Sequence, residues 1–340
     1  MIMKRIIIRS LKILVPRSFF DFLKNLHLKY TYIKEYNYDY KRFIEFSGTN
    51  GSDTSVKLVA DIIRYYHVVE KGLTMPETRL GFGRELILSL CSMCEEYKQI
   101  YNENDPQVNH AIGVINEYRT FHDSSNYILD DDVLIAIKVL NISGDELSHT
   151  SQTEISKQVY FQHQSNSFLQ FSNSRRSVRN FGELNIPIDK LMQAIDLSKN
   201  APSACNRQSW RTHVYTDSKQ IKTILEIQGG NRGFGHLTNK LIVVTGELGG
   251  FGGIWERNQV FIDGGIYAMN LLYSLHFYEI ATCILNCSTE FKKDQKLREL
   301  CKIDKSEVFI AMIACGIPPD SFKVAISKRS DVQITNKIYS

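Results

Sequence analysis

Residues 259 to 278, QVFIDGGIYAMNLLYSLHFY, constrain the fold more than any other stretch, because they read as one long helix with a single acidic residue, Asp263. A helix that is apolar nearly all round must be covered on every side, by its own core or by another subunit. At 340 residues, with 43% hydrophobic and 23% charged residues, the chain is long enough to bury such a helix. The period changes along the chain. Residues 20 to about 165 carry apolar residues at three- and four-residue spacing, as in TSVKLVADIIRYYHVVEKGL and GRELILSLCSMCEEYKQIY, and predict helices behind an NGSDTS loop. ISGDELSHTSQTEIS (142 to 156) reads as a polar crossing between units. After about 170, helices (IPIDKLMQAIDLSKN, TEFKKDQKLRELCKI) mingle with short buried strands (KLIVVTGE, ATCILNCS, EVFIAMIACGIPP), which predicts an α+β domain.

Composition excludes several classes. The 41 basic and 37 acidic residues leave a net charge of +4, with no basic stripe outside the first twenty residues, so nucleic acid is not expected. Lys4, Arg5, Arg9, Lys12 and Arg17 interrupt every apolar run at the start, which fits neither a signal peptide nor a membrane span. A basic helix touching anionic lipid through residues 1 to 20 is weighed against packing on the protein's own body, and packing is favoured. Seven scattered cysteines suit a reducing cytoplasm, with the inner membrane surface as the variant that lipid contact would give. Cys91 and Cys94 read as small core residues rather than half of a zinc site, and no metal is expected.

Catalytic motifs are mostly missing. TGELGGFGG follows a strand but does not satisfy G-x-G-x-x-G, and reads as a mobile loop. There is no phosphate-binding G-x-x-x-x-G-K-[ST], no G-x-S-x-G and no H-E-x-x-H. His67, one helical turn from Glu70 and Lys71, reads as a hydrogen-bonded core histidine rather than a ligand.

Two other clusters hold the chemistry. NSRRSVRNF (173 to 181) sets Arg175, Arg176 and Arg179 around Ser177, giving planar bidentate donors and a hydroxyl suited to a phosphate and to a ring carbonyl that gains charge. APSACNRQSWR (201 to 211) stops a helix at Pro202, then presents Ser203, Asn206, Gln208 and Trp210 together.

In that order, the two clusters, a long helix after them and Arg329 past the last strand resemble the nitroreductase family of FMN-dependent oxidoreductases. The resemblance covers about 171 to 332. With HVVEKGL and LGFG in front, the chain looks like the longer members that accompany surface-polysaccharide biosynthesis. It implies an α+β nitroreductase-like FMN-binding domain (166 to 340), a central mixed sheet flanked by helices, preceded by a mainly helical region (1 to 165). It implies a homodimer with FMN at the seam. It also implies that Arg175, Arg176, Ser177 and Arg329 hold the FMN phosphate and ribityl chain, and that Arg179 lies by ring atoms N1 and O2. Pro202, Ser203, Asn206 and Gln208 would flank the ring, with the backbone of Leu285 and Asn286 near N5. The implied reaction passes hydride from NAD(P)H through FMN to an electron-poor small molecule, with Arg179 as the catalytic cation. A flavin enzyme without NAD(P)H and a flavin-free assembly module are the rival readings. Departures from the family pattern are Ser209 for Pro, Glu279-Ile280 for Gly-Leu, and Ile326 for Arg. The family glycine takes a positive φ, which Glu279 adopts only with strain.

Overall fold

The computed structural model describes residues 17–101, 104–140 and 150–339. Five helices come first: α1 (Arg17–Phe46), α2 (Ser55–Leu73), α3 (Arg84–Tyr101), α4 (Pro106–Ser124) and α5 (Asp131–Val139). Thr54 caps α2 by accepting the Lys57 N–H, and Asp105 caps α4 through the Gln107 N–H at 2.7 Å, with Pro106 in its first turn. Leu58, Ile62, Tyr66, Val69 and Leu73 line one face of α2 at the spacing read from sequence, and are buried with Ile87, Leu90, Ile112 and Ile115. Cys91 and Cys94 lie in this same core. α1 differs: none of its thirty residues is buried, and Asp39 ties it to Arg257 at 2.6 and 2.9 Å.

The main elements that follow are β1 (Gln152–Ser156), α6 (Lys157–Phe161), α7 (Phe168–Ser174), α8 (Ile188–Ser198), β2 (Trp210–Tyr215), α9 (Ser218–Gln228), β3 (Lys240–Glu247), α10 (Gln259–Phe277), β4 (Ala281–Asn286), α11 (Phe291–Cys301), β5 (Glu307–Gly316), β6 (Ser321–Ala325) and a short α12 (Val332–Thr335). The main sheet has the order β2-β3-β5-β4, and every pairing is antiparallel. Its mixed character is confined to a single parallel bridge, Ser177 to Thr282, on the outer edge of β4. β1 and β6 form a separate antiparallel pair.

Alternation along the central strands sorts their side chains onto two faces. Leu241, Val243, Met312 and Ala314 enter a core with α9 and α11, while Ile242, Val244, Ile313 and Cys315 enter a second core under α10 and α8. Tyr160 and Phe161 of α6 join the first of these. The buried residues of the helical region's core lie between 58 and 140 and those of the two sheet cores between 160 and 324, with Met75 and Ile155 packing half-buried against the first sheet core.

The structure adds detail to the sequence reading. α10 is covered by the chain on one side, while Phe261, Ile262, Ile266, Met269 and Phe277 form an exposed apolar stripe, the part that the sequence reading leaves for another subunit to cover. The glycine-rich loop is pinned rather than loose, since Glu247 accepts from Gly249 N–H and Glu256 from Gly252 N–H, both at 2.9 Å. Cys205 is exposed, unlike the other six cysteines. Residues 142–149 of the polar crossing lie outside the described residues, and residues 152–156 of it form β1. Lys4, Arg5, Arg9 and Lys12, which carry most of the lipid-contact reading, also lie outside them. No described helix is long and apolar enough to cross a membrane.

Candidate functional site

The arginine segment runs from the end of α7 along the edge of β4, held by Val178 N–H donating to the Thr282 carbonyl at 2.9 Å. Val178 is buried in the core, which directs its neighbours Ser177 and Arg179 away from the apolar side. Arg179 is nevertheless only 6% exposed. Ahead of it, the Arg176 backbone is clamped by Tyr160, whose hydroxyl donates to the Arg176 carbonyl at 2.8 Å. Burial pushes that hydroxyl up to about 12, so it stays a donor. The Arg176 guanidinium donates to the carbonyls of Asn173 and Arg175.

Arg176 has its pKa lowered by burial and by the like charges of Arg175 and Arg329, so these three cations share one neighbourhood. Arg329 is placed by a turn in which Ser327 has φ 50° and its carbonyl accepts from the Arg329 side chain at 2.7 Å. Next to this group, the Cys283 thiol is raised by burial against the opposing pull of Arg179, Lys71 and Arg175. Lys71, from α2, is lowered by burial and by Arg179. Five cations therefore gather from three parts of the chain, and none of the five forms an ion pair among the described residues. Uncompensated like charges at a partly buried place are unfavourable unless an anion offsets them.

The second cluster is shaped by backbone strain. Cys205, Asn206 and Gln208 all have positive φ, at 52°, 55° and 49°. Outside glycine such residues cost roughly 1–2 kcal/mol each, least for Asn, and they concentrate where a loop must present groups to a ligand. Buried Asp263 of α10 anchors the loop by accepting the Ala204 N–H at 3.1 Å. Arg207 is committed to Glu256 and to the Gly250 carbonyl. Ser203 Oγ accepts the Gln208 N–H at 3.0 Å and keeps its own hydrogen to donate, while the Gln208 amide folds back on Asn206. Pro202 is exposed, and Trp210 stacks on Tyr267 at 4.7 Å.

The two clusters do not meet within one chain. Asp263, which holds the 202–208 loop, and His276, whose Nε2 bonds Ser174 just before the arginines at 2.8 Å, are thirteen residues apart on α10. That separation is about 20 Å at the rise of an α-helix. Within one chain the two clusters therefore lie too far apart to share a ring, which leaves that expectation to the expected homodimer with FMN at its seam. Leu285 is buried in the core and offers only backbone, and the Asn286 carbonyl accepts from Gln228 at 2.9 Å. Lys71, Tyr160 and His276 are neighbours of the arginines that sequence reasoning misses. For Lys71 alone there is a signal, a lysine next to a glutamate and close to a histidine, two residues before the end of its helix.

Residues 173–231 match the family model described as "Nitroreductase family". The match spans the arginine segment, α8, the strained loop and α9. No curated protein matches the chain. Among solved structures, the nitroreductase family protein of Clostridium novyi NT is 22% identical, over 45% of this chain and 86% of its own, with a TM-score of 0.40. The FMN-dependent nitroreductase of Clostridium difficile R20291 is 18% identical over 50% and 96%, with a TM-score of 0.40. A Staphylococcus epidermidis ATCC 12228 protein assigned as an NAD(P)H:FMN oxidoreductase is 19% identical over 51% and 96%, with a TM-score of 0.46.

Proposed function

Starting from the nitroreductase-family match over residues 173–231, we propose that the chain is an FMN-dependent oxidoreductase using NAD(P)H and an electron-poor small-molecule acceptor. The observation that supports it most is the group of cations without a carboxylate partner, because that donor set fits a ligand carrying a phosphate at one end and an ionisable ring at the other. When bound, FMN supplies two-electron hydride chemistry, and the protein supplies position and charge. Arg175, Arg176 and Arg329 then hold the phosphate, and Ser177 and Ser203 donate hydroxyl hydrogen bonds. Asn206 and Gln208 present amides, and Pro202 turns the loop that carries them. Leu285 and Asn286 contribute backbone at the β4 edge. Arg179 is fixed in a nearly closed place where its charge needs no reorganisation to offset negative charge gained at the N1–O2 edge.

The same proposal includes a homodimer. Two copies crossing antiparallel through the exposed stripe of α10 bring the loop end of one helix to the arginine end of the other, an isologous contact that closes the gap of about 20 Å in a single chain.

The test is a binding titration of FMN and riboflavin to the wild type and to the Arg175→Ala, Arg176→Ala double variant. Charged hydrogen bonds contribute about 1.5–3 kcal/mol each, so FMN affinity should fall by several kcal/mol and riboflavin affinity far less. Equal losses for both ligands would show that the pair is structural.

A further inference from the structure

The end of α2, His67-Val68-Val69-Glu70-Lys71, lies outside the family match and has no role in the function proposed above. Its carboxylate is already committed. Glu70 is fully buried, with His67 Nδ1 at 3.0 Å from one oxygen and His110 Nε2 at 2.7 Å from the other. Burial raises this carboxyl, but the two histidine hydrogen bonds outweigh burial and hold its pKa below the ordinary value. Glu70 is thus an ionised group facing its histidines, and it forms no ion pair with the adjacent Lys71.

Lys71 itself is half-buried, and its ammonium has neither hydrogen bond nor ion pair among the described residues. Packing fixes where it stands. Met75, one helical turn on, packs against the core that holds Val178 and Cys283, and touches the place where a side chain on Gly233 would go. Gln107 of α4 receives the Tyr66 hydroxyl at 2.6 Å and donates to Ser330 at 3.3 Å, so the helical region also grips the tail beside Arg329. These two attachments, one just past the end of α2 and one from α4, stand on either side of Lys71 in the helical region. Burial and then Arg179 lower the Lys71 pKa against the pull of Cys283, and burial and then Arg175 and Arg329 lower that of Arg176. Lys71 thus stands with Arg179 in the cation group, at the end of α2 whose Met75 packs on the core that holds Val178, the neighbour of Arg179, and Cys283.

We propose that Lys71 is a further binding residue of this site, a second cation delivered in cis by the helical region, set beside Arg179 where the ligand gains negative charge. The proposal rests on the reading of the site as an FMN site. It also explains why the helical region is there, since α2 becomes one wall of the site and its histidine–glutamate network fixes the angle at which that wall is held.

The experiment uses the full chain, with Lys71→Met, Lys71→Gln and Lys71→Arg compared with wild type. Circular dichroism reports folding, fluorescence titration reports affinity for FMN and riboflavin, and equilibration with a reference dye reports the two-electron potential of the bound flavin. In Lys71→Met the preference for the reduced over the oxidised form should drop about tenfold, a potential about 30 mV more negative. The same drop should appear with riboflavin, since the phosphate plays no part, and Lys71→Arg should restore the wild-type value. Lys71→Gln, which keeps a polar end, carries the test if the Met variant does not fold. A folded variant that binds FMN at an unchanged potential overturns the role of Lys71 and leaves the FMN reading intact. A wild-type chain that binds neither flavin overturns both.

Discussion

His276 lies where α10 meets the arginines, with 1% of its surface exposed, its Nε2 on Ser174 and no partner for Nδ1. Burial, and then the charges of Arg175 and Arg176, push its pKa from 6.5 down to about 4. The unfolded chain binds this proton below pH 6.5 and the folded chain does not until about pH 4, so folding stability rises with pH across that window. At about 1.4 kcal/mol for each pH unit, the loss on acidification across it reaches about 3 kcal/mol. Urea unfolding at a series of pH values should show this slope, and His276→Gln, which cannot take up the proton, should flatten it. Other single residues differ in how far sequence reveals them. Glu279 takes a positive φ, 55°, where the resemblance leads one to expect one, and it pairs with Lys190 at 3.1 Å. Lys71 shows in the sequence only as a lysine beside Glu70, because its significance depends on Arg179, more than a hundred positions away, and no local pattern encodes that meeting.

Among the elements, α10 shows most clearly what a hydrophobic run can and cannot tell. Its composition announces a helix needing cover on all sides, yet the pattern does not say which face meets the sheet. Neighbouring glycines do say so once the structure is known. A methyl on Gly264 would come within 2.6 Å of Ile310, whereas a methyl on Gly265 would meet nothing within 4 Å. Gly264→Ala should therefore destabilise the fold by about 1–3 kcal/mol through overpacking. Gly265→Ala should be tolerated or slightly stabilising, because alanine favours a helix over glycine by about 1 kcal/mol. A long charged residue at the same place, Gly265→Arg, should leave the monomer folded but break the dimer and weaken FMN binding. Light scattering and a flavin titration check the pair, and a Gly265→Arg protein that stays dimeric would place the dimer contact elsewhere. β3 and β5 are legible for a related reason: strands buried on both faces are continuous apolar runs. β2, WRTHVY, is not, since its edge position allows Arg211, Thr212 and His213 to interrupt the run. The strained loop is legible as a stop at Pro202, but three left-handed residues among polar side chains leave no periodic trace.

On the scale of the molecule, the core of the helical region and the cores of the sheet are distinct and are joined through Met75 and through Gln107, which donates to Ser330. On the proposal that Lys71 and Arg179 share one ligand, their like charges oppose each other without it, and with it both sides grip the same anion. Binding free energy is then shared between two folding units instead of being confined to one. Differential scanning calorimetry of the ligand-free chain should resolve two melting steps, the helical core separating from the sheet. At FMN concentrations about a hundredfold above Kd, linkage adds about 2.7 kcal/mol to any unit whose unfolding releases the ligand. Both steps should then move upward and merge into one transition, whereas a ligand gripped by the sheet alone would raise a single step and leave the other where it was. On that reading FMN would act as a clasp as well as a cofactor, making the cooperativity of the whole chain depend on whether flavin is bound.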